Sequence, residues 1–232
     1  RASRLFPRQG RTYSDGLLTQ YNSVLTYYGT WLREVATENG YGFVDMWGPL
    51  NNLTIAARKN DPGFTIIKDA VHPDAPGQAV MAVAMIDDLG LRAPLSNIRL
   101  QIFGKATPKA TSTGGAVSDL KRTENGVEFT WLASGLPWVL PEEAAIGIKL
   151  TNLGHKNSRE AFEVHGLAPG RYELSIDGTV VGEFGSEQLS RHIELQANDK
   201  TPQYQQALKV ANLNRDRNSG LVRNLRNEWR LF

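Results

Sequence analysis

From Leu17 to Val35 the apolar residues recur every three or four positions: Leu17, Leu18, Tyr21, Val24, Leu25, Tyr28, Leu32 and Val35. That stripe predicts an amphipathic helix, with Ser14 and Asp15 ahead of it as N-cap candidates and Asn39-Gly40 closing it. The short apolar run Tyr41-Gly42-Phe43-Val44-Asp45-Met46-Trp47 follows and predicts a strand buried on both faces, as in a parallel sheet. A second helix is expected from Leu50 to Arg58, then an irregular loop over 61–74 with a short extended piece, Phe64 to Ile67. Gly77 to Leu89, rich in Ala, Val and Met and closed by Gly90, predicts a further helix. Helix, strand, loop, helix is the closing pattern of a doubly wound α/β layer.

After Arg92-Ala93-Pro94-Leu95 the rhythm changes. Extended segments are expected at Ile98–Phe103, Val127–Leu132, Ile146–Leu150 and Ala161–Leu167, with a hairpin from Arg171 to Phe184. The hairpin should turn at Asp177-Gly178, a two-residue signal between alternating apolar runs. Thr107 to Gly115, rich in Gly, Thr and Ser, reads as a loop, and Pro202 to about Asn214 returns to helical spacing. The organisation expected is an α/β part over residues 1–95, a β-rich accessory region over 96–198 and a helical tail over 199–232. No internal repeat is visible.

Composition narrows the class. The 232 residues are 41% hydrophobic and 22% charged, as in a globular protein rather than a disordered or low-complexity one. The net charge of +2 argues against general nucleic-acid binding, and no apolar run reaches the ~20 residues of a membrane-spanning helix. The absence of cysteine removes disulfides, a thiol nucleophile and Cys-ligated zinc. Residue 1 is Arg and the opening residues lack the apolar core of a signal peptide, so a processed chain or a piece of a longer one is expected.

One stretch carries chemistry: Asp69-Ala70-Val71-His72-Pro73-Asp74-Ala75-Pro76-Gly77-Gln78. An Asp three residues before a His, on a loop entering a helix, can hold the imidazole in one tautomer and stabilise the imidazolium formed during proton transfer. The His is then a general base for a hydroxyl nucleophile. Alone, Asp-x-x-His is a weak signal.

Its surroundings strengthen it. Leu17 to Leu89 resembles the C-terminal half of the SGNH (GDSL-like) esterase/lipase family, through the helix with Tyr21-Asn22, the segment Phe43-Val44-Asp45-Met46, and Asp69-Ala70-Val71-His72-Pro73 followed by Gly77-Gln78. The resemblance implies a flavodoxin-like three-layer α/β domain and a Ser-His-Asp triad. In it His72 would be the general base and Asp69 its orienting carboxylate, with no metal or organic cofactor. The β-rich part resembles, more loosely, an appendage of some bacterial (planctomycete-like) members. The chain departs from the family where the nucleophile should be: no Gly-Asp-Ser occurs, and the later blocks whose Gly amide and Asn side chain complete an oxyanion hole are absent. The nucleophile is therefore expected upstream of Arg1, and this chain alone is expected to be inactive.

Other polar residues have plainer readings. Ser14-Asp15-Gly16 has the family's letters in the wrong order and suits a turn or cap. Asp45 reads as structural and Asp74, ahead of Ala75-Pro76-Gly77, as a helix cap. His155 falls in a polar surface run, His165 in a strand facing solvent, and His192, near Glu187 and Glu194, on a solvated helix face rather than in a metal site. Trp47, Trp131 and Trp138 can line a sugar or acyl pocket or pack a core, packing being the commoner role of aromatics. The tail from Asp199 holds seven Lys or Arg against three Asp or Glu, a local +4 that leaves −2 for the rest, and reads as a solvated helix with Arg outside.

The function class expected is hydrolysis of carboxylic esters, with a small-molecule or glycan ester as substrate and carbohydrate acetyl esters among the candidates. Two rivals stand: a binding or structural module keeping a relic Asp-x-x-His block, and a related O-acyltransferase. Export to the periplasm or beyond is suggested by family analogy alone.

Overall fold

The computed structural model describes residues 15–68 and 71–230. Three helices come first, α1 (Asp15–Glu38), α2 (Trp47–Ala57) and α3 (Ala75–Asp88), then four strands, β1 (Ser96–Gln101), β2 (Lys109–Thr113), β3 (Gly115–Arg122) and β4 (Val127–Ala133). Helices α4 (Ala145–Thr151) and α5 (Leu153–Asn157) precede strands β5 (Glu160–His165), β6 (Arg171–Ile176) and β7 (Thr179–Gly185). The chain closes with α6 (Ser186–Arg191), β8 (Ile193–Glu194), α7 (Pro202–Arg217) and, after a π turn at Asn218–Val222, α8 (Arg223–Trp229). It is a mixed α/β protein with a mixed parallel and antiparallel sheet and C-terminal helices. None of the described helices is long and apolar enough to cross a membrane.

The contacts divide the chain into two compact units. The first comprises the described residues up to Arg92 together with Glu142–Leu153. Its small core is Leu50 of α2, Ile66 and Ile67 of the loop and Val80 of α3, with Leu53, Phe64, Met81 and Leu150 against them. A buried amide network ties α1 to α2: Asn22 Nδ2 donates to Asn51 Oδ1 at 2.9 Å, and Trp47 Nε1 donates to Asn22 Oδ1 at 2.8 Å. Each buried polar group thereby finds a partner, which burial demands.

The helices expected in this unit are present, with α1 running three residues past Val35 and stopping where Tyr41 N–H bonds to Ala36 O. The expected strand over Tyr41–Trp47 is not a strand. Its last residues already turn into α2 at Met46 and Trp47, no strand pairs with it among the described residues, Tyr41 is exposed, and the Asp45 N–H donates to the Asp88 carboxylate at 2.7 Å instead of to a ladder. An apolar run becomes a parallel strand only beside other strands. For the same reason Val24, Leu25, Tyr28 and Leu32 on the α1 stripe stay exposed: no described element covers them.

The expected strand at Ile146–Leu150 is also corrected, since it forms helix α4. Ile146, Ile148 and Leu150 alternate as in a strand, yet the buried positions are Ala144, Gly147 and Thr151, spaced as one face of a helix that packs on α3.

The second unit is Ala93–Pro141 with the chain from Gly154 onward. Its four-stranded sheet has the order β2-β1-β5-β8, with β1 and β5 parallel (Ile98 opposite Phe162, Leu100 opposite Val164) and the other pairs antiparallel. Two hairpins, β3-β4 and β6-β7, complete it. The second hairpin turns as expected at Asp177 and Gly178, both at positive φ (48° and 76°), the backbone of a type I′ turn. Lys109–Thr113, expected as loop, is strand β2, and β3 was not anticipated. Thr and Ser suit a half-exposed edge as well as a loop, and β2 alternates exposed and half-buried residues as it pairs with β1. The core gathers Ile98, Leu100, Ile102, Phe162, Val164, Leu189 and Ile193. Phe129 of β4 stacks on Phe162 with ring centres 5.9 Å apart. The tail is helical with its arginines exposed, and Thr201 Oγ1 caps α7 by accepting from Tyr204 N–H.

Candidate functional site

The segment that leads into α3 is held from both sides. Ile66 and Ile67 are buried, and Ile66 O accepts from Asp74 N–H at 3.1 Å. Asp74 is the N-cap of α3: its extended backbone turns the chain, and its carboxylate accepts from Gly77 N–H at 3.1 Å. Pro76 sits in the first turn, where its missing N–H costs nothing. Gln78 Nε2 reaches back to Pro73 O at 3.3 Å. The expected capping role of Asp74 is thus the one it plays.

His72 lies between these anchors, exposed, one residue ahead of Pro73. His72 stands two residues ahead of Asp74, whose N–H and carboxylate anchor the entry to α3. Asp69, its expected partner, lies outside the described residues, as does Ser14. The structure therefore describes the helix entry and the imidazole position of the expected pair, and leaves their mutual geometry outside.

Gly77 makes this loop fit. A Cβ there would lie 2.7 Å from Ile66 O and 2.8 Å from Pro73 Cβ, closer than packed atoms approach. Gly77→Ala should lower stability by about 2 kcal/mol and displace Ile66 and Pro73, measured by urea denaturation and by the shift of the Ile66 and Asp74 amide resonances. Unchanged stability and unchanged resonances would show that the loop does not depend on this close approach.

Asp45 is structural, as expected. Its carboxylate accepts from Gly48 N–H at 2.8 Å at the start of α2 and pairs with Arg33 at 2.9 Å, while the Arg33 guanidinium lies over the Phe43 ring.

Histidines of the second unit all meet carboxylates. His155, placed on helix α5 rather than in a loop, and His192 both approach Glu194, at 2.6 and 3.6 Å. His165 is half-buried rather than solvent-facing, bonded at 2.8 Å to Glu163, which also takes Arg99. Burial pushes the Glu163 carboxyl up, but the bonds to Arg99 and His165 outweigh it and hold it below the usual carboxylate range. Among the described residues no three His, Asp or Glu side chains converge as a metal site requires.

Sequence reasoning missed Glu160. It is only 7% exposed at the start of β5, on the same face as Phe162 and Val164, and burial pushes its carboxyl up to about 7. Nothing in the sequence marks it: a Glu before an apolar run reads as the polar end of a strand.

No family model matches the chain, and no curated protein matches it. Among solved structures it is similar to BT4096, a gut microbial diltiazem-metabolizing enzyme, with 28% sequence identity and a TM-score of 0.80 over 92% of this chain. The match covers 49% of that enzyme, so the chain spans about half the length of the protein it resembles.

Proposed function

We propose that this chain is the histidine-bearing half of a serine ester hydrolase of the SGNH type. The observation that carries the reading is the Asp69-x-x-His72-Pro73 block of the sequence, whose His72-Pro73 end leads into the capped helix α3 at Asp74. Likeness to a drug-metabolizing enzyme supports enzymatic function at a coarser level. The serine comes from polypeptide outside this sequence, which contains no Gly-Asp-Ser.

In this reading His72 takes the proton of the serine hydroxyl as it attacks the acyl carbon, then passes it to the departing alcohol. Asp69 accepts from the far ring nitrogen and holds the tautomer that leaves the near nitrogen free to take the proton. Water then repeats the cycle on the acyl-enzyme. Substrates are short acyl esters, acetylated carbohydrates among them. A fluorophosphonate probe, which reacts only with an activated serine, tests the proposal. It should label a serine when both halves of the site are present and leave this chain alone unlabelled. Labelling of this chain alone, or none with both halves present, would overturn it.

A further inference from the structure

A cleft of about 1160 Å³ lies wholly within the second unit, between the β3-β4 and β6-β7 hairpins and over the face of β1 and β5. Its volume lies somewhat above the roughly 300–1,000 Å³ of pockets that enclose drug-sized ligands, which leaves room for a small one. The inner wall is apolar: Ile98, Ile102, Phe162, Val164, Leu189 and Leu195, with Phe129, Trp131 and Tyr172 at the sides. Glu160 borders this wall, 7% exposed. Its main chain is satisfied, the N–H donating to Gln196 Oε1 at 3.1 Å and the carbonyl accepting from Leu195 N–H at 2.9 Å. No cation among the described residues pairs with its carboxyl, in contrast to Glu163 on the opposite face of the same strand.

We propose that the cleft binds a small amphiphilic amine, its apolar body against the half-buried Phe129, Trp131 and Tyr172 and its ammonium group on the Glu160 carboxylate. The proposal is separate from the ester-hydrolase reading and involves none of its residues. A largely buried carboxyl with no cation beside it is costly, and a bound cation offsets that cost. Charge around the cleft points the same way. Glu124, Glu128, Glu173 and Asp177 outnumber Arg122 and Arg171. Of these two, Arg122 is engaged on Ile102 O and Arg171 on Glu183, while Lys121 is held on Glu128. Carboxylate ligands meet repulsion at this rim, and sugars would leave hydroxyls unpaired against Ile98, Ile102 and Leu189.

Calorimetric titration of this chain at pH 8 with 4-phenylbutylamine, 4-phenylbutanol and 4-phenylbutyrate tests the assignment. The amine should bind saturably, at least about tenfold tighter than the alcohol, with the acid weakest. Glu160→Gln should remove that preference for the amine and leave alcohol binding unchanged. Equal affinities for amine and alcohol on the wild-type chain, an undiminished preference in the variant, or no saturable amine binding would each overturn the proposal. The wild-type comparison stands whatever the variant does to folding.

Discussion

Replacing His72 by alanine, in a protein carrying both halves of the site, lowers kcat for ester hydrolysis by roughly four to six orders of magnitude. The loss falls on kcat rather than KM, because proton transfer occurs in the transition state and the imidazole contributes little to holding the ground-state ester. Stability should stay near that of the wild type, since His72 is exposed and the loop is anchored by Ile66, Asp74 and Gly77. Asp69→Asn should cost less than His72→Ala, because the asparagine still occupies the site but no longer stabilises the imidazolium. Steady-state assays on p-nitrophenyl acetate measure both. Activity within about tenfold of the wild type for His72→Ala would remove it from the triad. A large fall in both variants accompanied by a large loss of stability in urea denaturation would instead place them in the fold.

Glu160→Gln should make the chain more stable at pH 8 by about 3 kcal/mol, and by nothing comparable at pH 4. Native Glu160 holds its proton up to about pH 7, above the ordinary carboxyl value of 4.5. Below 4.5 both native and unfolded chains are protonated and the group contributes no difference. Between those values the unfolded chain releases the proton while the native one keeps it, so stability falls as pH rises. Above 7 the native carboxyl ionises in its buried place and the full penalty is present. The amide carries no such charge, so the difference between variant and wild type should open across this window and then level off. Urea denaturation of both proteins from pH 4 to pH 8 measures it. A pH-independent difference would show that Glu160 ionises as freely in the folded chain as in the unfolded one.

Helices α1 and α3 were legible because spacing and punctuation agree in them: the α1 stripe ends at Asn39-Gly40, and Asp74-Ala75-Pro76 opens α3 with a cap and a proline. The Asp177-Gly178 hairpin was legible for the same kind of reason, a turn whose backbone only a few residues adopt. Where the reading failed, a local pattern allowed two periods. Ile146, Ile148 and Leu150 fit a strand, but the small residues Ala144 and Gly147, which carry little hydrophobic signal, are the ones that let α4 settle against its neighbour. Tyr41–Trp47 failed because a strand is a relation between segments, and apolar composition describes only one of them. At the candidate site the chemistry was legible in residue types and order, Asp69 before His72. Glu160 was not, because its environment is built by β1, β4 and β5 meeting across more than sixty positions of chain, from Ser96 to Glu160.

The strand order β2-β1-β5-β8 also bears on what this sheet offers to strands of other molecules. Open sheet edges invite strands from other molecules, and long apolar edges are the ones that seed aggregates. Here one flank is the five-residue Lys-Ala-Thr-Ser-Thr strand β2, polar and led by a lysine, and the other is the two-residue strand β8. An incoming chain would meet charge and hydroxyls on the first flank and run out of ladder on the second. The apolar inner strands β1 and β5 are thus fenced by edges poorly suited to templating, a safeguard against amyloid-like growth that follows from which strands lie outermost and from their length and composition.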